Sequence, residues 1–219
     1  MKPLFPLPPS RASLRRAWRA AALVALAAVL ASCALSRPAP PKRTFLLEPV
    51  VPAAVAAPKT AVLRAGTVNV AAPFRGKGFV YREGEFRYEA DYYDEFFIAP
   101  AAMLTDTTTK AMASANVFRQ FIAAGARSDE GDYVLDGFVS ELYADVRDRA
   151  APAAVLAVTF YLSTADPLNL RVLWSREYRQ RIVFSGAESE AVVRAWNAAL
   201  STTYADLARD LAAADLPKK

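Results

Sequence analysis

Residues 185–211 read SGAESEAVVRAWNAALSTTYADLARDL. Val193, Trp196, Leu200, Tyr204, Leu207 and Leu211 recur in steps of 3, 4, 4, 3 and 4, the period of one helical face. Ser185 followed three positions later by Glu188 matches a capping box, and Pro217 marks the end. Working backwards, three strand-like runs come in succession at 133–147, 155–163 and 171–184. The first loses its alternation after Gly137, which predicts a bulge or bend. A long amphipathic helix behind consecutive strands needs a sheet to lie on, which places the chain in an α+β class.

Further back, residues 100–124 carry Leu104, Thr108, Ala111, Ala115, Phe118 and Ile122 on a second helical face, with Gly125 placed as its cap. Before it, 79–81 and 86–93 flank the turn Glu83-Gly84-Glu85, and 62–70 is a strand interrupted at Gly66. The expected body is six or seven strands in a small mixed β-sheet, with two main amphipathic helices packed on it, spanning 59–216. Ten of the fifteen prolines precede residue 59. Residues 33–58 therefore read as a Pro/Ala-rich tether containing one short strand, at 44–48.

Composition excludes much catalysis. The 219 residues contain no His and one Cys, so His bases, Ser-His and Cys-His pairs, His metal sites and internal disulfides are absent. The chain carries 27 basic and 22 acidic residues. Five of the basic ones (Lys2, Arg11, Arg15, Arg16, Arg19) precede Cys33 with no acid among them, leaving 22 of each sign beyond. A nucleic-acid partner needs a basic stripe on the body, and this balance offers none.

Those basic residues, the apolar run AAALVALAAVLA at 20–31 and a small-residue ending make the three zones of a signal peptide, 1–32. Twelve helical residues span about 18 Å, short of a bilayer core of about 30 Å. Leu30, Ala31, Ser32 and Cys33 resemble the lipobox of bacterial lipoproteins, in which an aliphatic residue and two small ones admit a peptidase to the backbone before a lone nucleophilic thiol. The resemblance implies cleavage before Cys33, with a diacylglyceryl group on its sulfur and an acyl chain on its new amine. No other cofactor is expected. In Gram-negative lipoproteins Asp at the position of Ala34 retains the protein at the inner membrane, so the resemblance implies the periplasmic face of the outer membrane as the expected location.

Other motifs lack the spacing their chemistry needs. Gly76-Lys77-Gly78 has neither the length nor the hydroxyl residue of a P-loop and reads as a turn. Glu83, Glu85, Glu89, Asp91, Asp94 and Glu95 crowd one segment with Arg82 and Arg87 between them, a solvated strand face rather than a carboxylate pair across a cleft. Tyr92, Tyr93, Phe96 and Phe97 read first as a core strand running into the helix. The alternative is an exposed patch that docks a partner or touches lipid.

The order of these pieces resembles the ABC-type transport auxiliary lipoproteins, PqiC-like proteins associated with MCE transport systems. The resemblance rests on the lipobox, the Pro-rich tether, Phe45-Leu46-Leu47-Glu48-Pro49 and Val80-Tyr81-Arg82. It extends to an aromatic strand closing at Pro100, Asp132-Tyr133-Val134-Leu135-Asp136-Gly137 and the helix containing Trp196. Phe96 stands where that family carries Trp, a single Pro closes the corner, and a strand opening is reduced to Val68-Asn69-Val70-Ala71-Ala72-Pro73. The resemblance implies a non-enzymatic, lipid-anchored component that docks an MCE-domain protein and its ABC permease and ATPase. Such systems move phospholipid or another hydrophobic substrate between membranes. It leaves homo-oligomerisation open. Two rival readings are an assembly lipoprotein for lipopolysaccharide or cell wall, and an envelope hydrolase.

Overall fold

The computed structural model describes Trp18 and residues 40–123, 131–166, 168–186 and 188–217. Leu30, Ala31, Ser32 and Cys33 lie outside the described residues. The body is one unit beginning at Lys42. Its elements are β1 (Arg43–Phe45), β2 (Lys59–Val70), β3 (Gly78–Arg82), β4 (Tyr88–Phe96), α1 (Pro100–Ala115), β5 (Phe118–Ile122), β6 (Tyr133–Asp145), β7 (Ala153–Thr164), β8 (Val172–Val183) and α2 (Ser189–Ala213). They form an open, mixed eight-stranded sheet with the two helices packed on it.

Strand β6 organises the sheet. One edge pairs antiparallel with β7, which pairs antiparallel with β8. Its other edge is shared: residues 133–139 lie parallel to β2, and Ala144 and Asp145 lie parallel to the end of β3. β2 continues to β5, whereas β3 continues through antiparallel β4 to parallel β1. The sheet therefore forks, with the β3–β4–β1 arm leaving from the end of β6. The β7–β8 hairpin tip lies at its start, where Tyr133 pairs with Thr164. Thirteen residues at about 3.3 Å each separate these levels by about 40 Å along the strand.

The core lies between sheet and helices, where Val68, Val139, Leu156, Val158 and Phe160 meet Leu104 of α1 and Leu200 and Tyr204 of α2. All six residues read as the second helix's apolar face are buried, Trp196 at 1% exposure. The Tyr204 hydroxyl shares hydrogen bonds with Thr107 and Thr108 at 2.8 and 3.1 Å, so this buried polar group is satisfied and ties the helices together.

Three expectations are corrected. The first helix ends at Ala115, where Asn116 takes the left-handed conformation (φ 48°), and β5 follows. Phe118 and Ile122 extend the helical pattern because a step of four keeps a side chain on the same face in a strand as well. The second helix begins at Ser189 with Glu188 as its cap, and no side chain caps it. Gly186, at φ +98°, turns the chain between Ser185 and the helix, which uncouples the capping-box residues from the first turn. The Pro/Ala segment before β2 does not hang free. Glu48 and Val50 donate backbone N–H groups to Asn197 and Ser201, Val55 donates to the Ala115 carbonyl, and Ser114 donates to that of Pro52. This segment straps both helices.

The expected irregularities fall beside Gly66 and Gly137. Pairing of β6 with β7 shifts between Val139 and Glu141, and pairing of β2 with β6 shifts between Ala65 and Val68. At the second bulge the Asp136 carboxylate accepts the Thr67 N–H at 2.9 Å, occupying the space a side chain on Gly66 would need. A Cβ there would sit 2.2 Å from Asp136 Oδ1 and 2.7 Å from the Leu135 carbonyl oxygen. Gly66→Ala is expected to cost about 1–3 kcal/mol, the usual cost of overpacking. Urea denaturation checks this, and an unchanged midpoint would contradict the contact.

Candidate functional site: an aromatic bulge beside the first strand

The four aromatics of 92–97 are divided by a large bulge in β4. Gly78 pairs with Glu95 and Val80 with Ala90, so two steps on β3 face five on β4. The surplus is held by Asp91, whose Oδ1 accepts the N–H groups of Tyr93 (2.7 Å) and Asp94 (3.0 Å). Gly78 lets the strands close here, since a Cβ would lie 2.5 Å from the Asp91 carbonyl oxygen. Strand alternation is lost across the bulge. Neighbouring Tyr92 and Tyr93 both reach the surface, Tyr92 at 69% exposure, with their rings perpendicular 5.2 Å apart.

Phe96 leaves the candidate patch. At 2% exposure it packs on Phe79 and Trp196 at 4.7 and 5.4 Å between ring centroids, as the core reading requires. Phe97, one residue on, is 58% exposed, with its backbone N–H bonded to the Phe45 carbonyl. The core reading thus holds for Phe96, and the exposed reading for Tyr92, Tyr93 and Phe97. Phe97→Glu is expected to change stability by no more than about 0.5 kcal/mol, as for most surface substitutions. Unfolding of that variant in a thermal melt would place Phe97 in the core instead.

Beneath the bulge lies a polar knot that the sequence did not reveal. Asp94, read as part of a solvated acidic face, is 4% exposed. Arg43 of β1 grips it bidentately, Nε and Nη2 each 2.7 Å from a carboxylate oxygen. Ser189 of α2 donates to the same carboxylate and accepts from Arg43 Nη2 at 3.1 Å. The knot thereby joins the first residue of β1 to the first residue of α2. Its members are 51 and 146 positions from Arg43, so no local spacing could mark them. Burial alone raises the Asp94 carboxyl, but hydrogen bonds from Arg43 and Ser189 and the guanidinium charge outweigh it and hold it below its ordinary 3.8. Nearby Tyr81 is pushed up to about 12 by burial, then by Asp91 and Asp94.

A carboxyl depressed by folding contributes stability above its unfolded value, and that contribution is lost as pH falls through its folded one. Asp145 is also depressed, by its hydrogen bonds to Arg147 with the guanidinium charges of Arg147 and Arg181, against an opposing effect of burial. Stability is therefore expected to fall as pH drops below about 4. Asp94→Asn should be less stable at neutral pH and flatten part of that acid slope. An Asp94→Asn slope equal to the parent's would contradict the knot's role.

Among the described residues, no group of three or more acidic, Cys or His side chains is placed to hold a metal ion, and no helix is long and apolar enough to cross a membrane. No protein-family model matches the chain, and no curated protein does. Several solved structures are similar to it, among them two that superpose over three quarters of the chain or more. Protein XCC0632 from Xanthomonas campestris, of the DUF330 family, superposes with a TM-score of 0.65 at 19% identity, over 75% of this chain and 92% of that one. The chain shares that protein's fold. An uncharacterized protein superposes at TM-score 0.56 and 16% identity, over 80% of this chain and 98% of its own. The forked sheet with two helices is thus a fold found in other proteins.

Proposed function

We propose that this chain is a lipid-anchored, non-enzymatic accessory subunit of an ABC/MCE-type transport system, held on the periplasmic face of the outer membrane. Acylated Cys33 carries the anchor, and the body docks an MCE-domain protein whose ABC permease and ATPase drive transport of phospholipid or another hydrophobic substrate. The observation that carries this reading is positional. A lipobox ending at Cys33 stands nine residues ahead of Lys42, and the chain joins the body through β1, on the arm that leaves the end of β6. At the start of β6 the hairpin tip presents Leu168 and Leu170, 97% and 70% exposed. Neighbouring exposed apolar side chains offer surface that a docking partner can bury. The resemblance in motif order supplies the MCE system as partner.

The test is photo-cross-linking in the native envelope, with a photoreactive residue replacing Leu168 in the full chain. The expected adduct, identified by mass spectrometry, is an MCE-domain protein. Adducts with lipopolysaccharide-assembly or cell-wall proteins, or none at all, would overturn the transport reading.

A further inference from the structure

We infer that the β4 bulge is a lipid-contact site: Tyr92 and Tyr93, with Lys42 and Phe97, rest in the headgroup region of the leaflet that holds the anchor. The inference builds on the lipid-anchor reading and adds how the body is oriented on the membrane. From Cys33 to Lys42 the chain advances nine residues and spans at most about 30–32 Å. Three prolines favour extension and stiffness over wandering. The tether ends on the bulge itself, where Lys42 Nζ lies 4.7 Å over the Tyr92 ring. A patch tied this closely to an anchor experiences a high effective lipid concentration, so modest intrinsic affinity suffices.

The chemistry of the patch fits this occupant. Tyrosine has an apolar ring and a polar tip, and it concentrates where one end is dry and the other wet. Lysine lays its methylenes along apolar surface and keeps its ammonium in the headgroups. Lys42 also pairs with Glu95 at 3.2 Å, and Lys77 Nζ donates to the Phe97 carbonyl at 2.9 Å. The acids here are engaged internally: Glu95 by Lys42, Asp94 by Arg43 and Asp91 by backbone N–H groups. Contact is therefore aromatic rather than electrostatic and persists at high salt. Asp91 and Gly78 fix the bulge, so little ordering cost remains when the rings insert.

The test uses the mature, acylated chain in vesicles of phosphatidylethanolamine and phosphatidylglycerol. Thioether formation at Cys33 consumes the single thiol, so Tyr93→Cys creates the one site for a nitroxide label. Electron paramagnetic resonance then measures the label's collisions with oxygen, which favours lipid, and with a nickel chelate, which favours water. The expected oxygen-to-nickel ratio is several-fold higher at position 93 than for a label on Leu168→Cys, is unchanged in 1 M salt, and falls when Tyr92→Ser is added. Equal ratios at 93 and 168, in a chain whose mass shows acylated Cys33, would overturn the inference and leave the anchor standing. Protection at 93 only after adding an MCE-domain protein would assign the patch to that protein and overturn the inference too. A second labelled thiol at Cys33 would mean that the anchor reading had failed first.

Discussion

Trp196→Ala is expected to lower stability by about 3–5 kcal/mol, the range for deleting a large buried aromatic. Trp196 lies 1% exposed between the helices and the β3–β4–β1 arm, 5.1 Å from Phe79 and 5.4 Å from Phe96, and Phe79 in turn packs on Phe45 at 5.3 Å. One side chain therefore seats α2 against β3 and β4 and, through Phe79, supports β1, the strand by which the chain joins the body. The cavity left by alanine borders other rigid aromatics that cannot collapse into it cheaply. Trp196→Phe separates volume from chemistry. The indole Nε1 has no hydrogen-bond partner among the described residues, so phenylalanine removes an unsatisfied donor while keeping most of the packing. That variant should recover most of the loss in urea denaturation. Equal midpoints for Trp196→Ala and the parent would contradict this placement.

Cys33→Ser should abolish attachment through a lipid anchor. Hydroxyl oxygen does not replace the thiol in thioether formation, so the variant carries neither the diacylglyceryl group nor the N-acyl chain that follows cleavage. Each buried methylene contributes about 0.8 kcal/mol, and two or more acyl chains hold a protein stably where one holds it marginally. After envelope fractionation and a carbonate wash, the variant is expected as an uncleaved precursor or in the soluble fraction. Parent-like acylation of the variant would remove Cys33 from its role. Because the body is ordered from Lys42 onward by its own core, Cys33→Ser should leave its melting temperature unchanged.

The elements with long apolar periods were legible in the sequence. The α2 face and the Leu104, Thr108, Ala111 and Ala115 face of α1 lie buried as their spacing required. Local ambiguity produced the misreadings: Phe118 and Ile122 satisfy helix and strand alike, and the Ser185–Glu188 pattern matches a cap that Gly186 turns away from the helix. At the aromatic segment, alternation could not say which rings were exposed, because the Asp91 bulge breaks it between Ala90 and Glu95. The Arg43–Asp94–Ser189 knot was invisible for another reason. Its partners converge only after β1, β4 and α2 have assembled, and its carboxylate hid among five other acids of the same segment.

Whether this body is held at a membrane through Cys33 is tested most directly by the mass of the N-terminal peptide of the mature protein. The expected peptide begins at Cys33 and carries a diacylglyceryl thioether and an amide-linked acyl chain. A mature chain that retains residues 1–32, or one with a free thiol at Cys33, would contradict it.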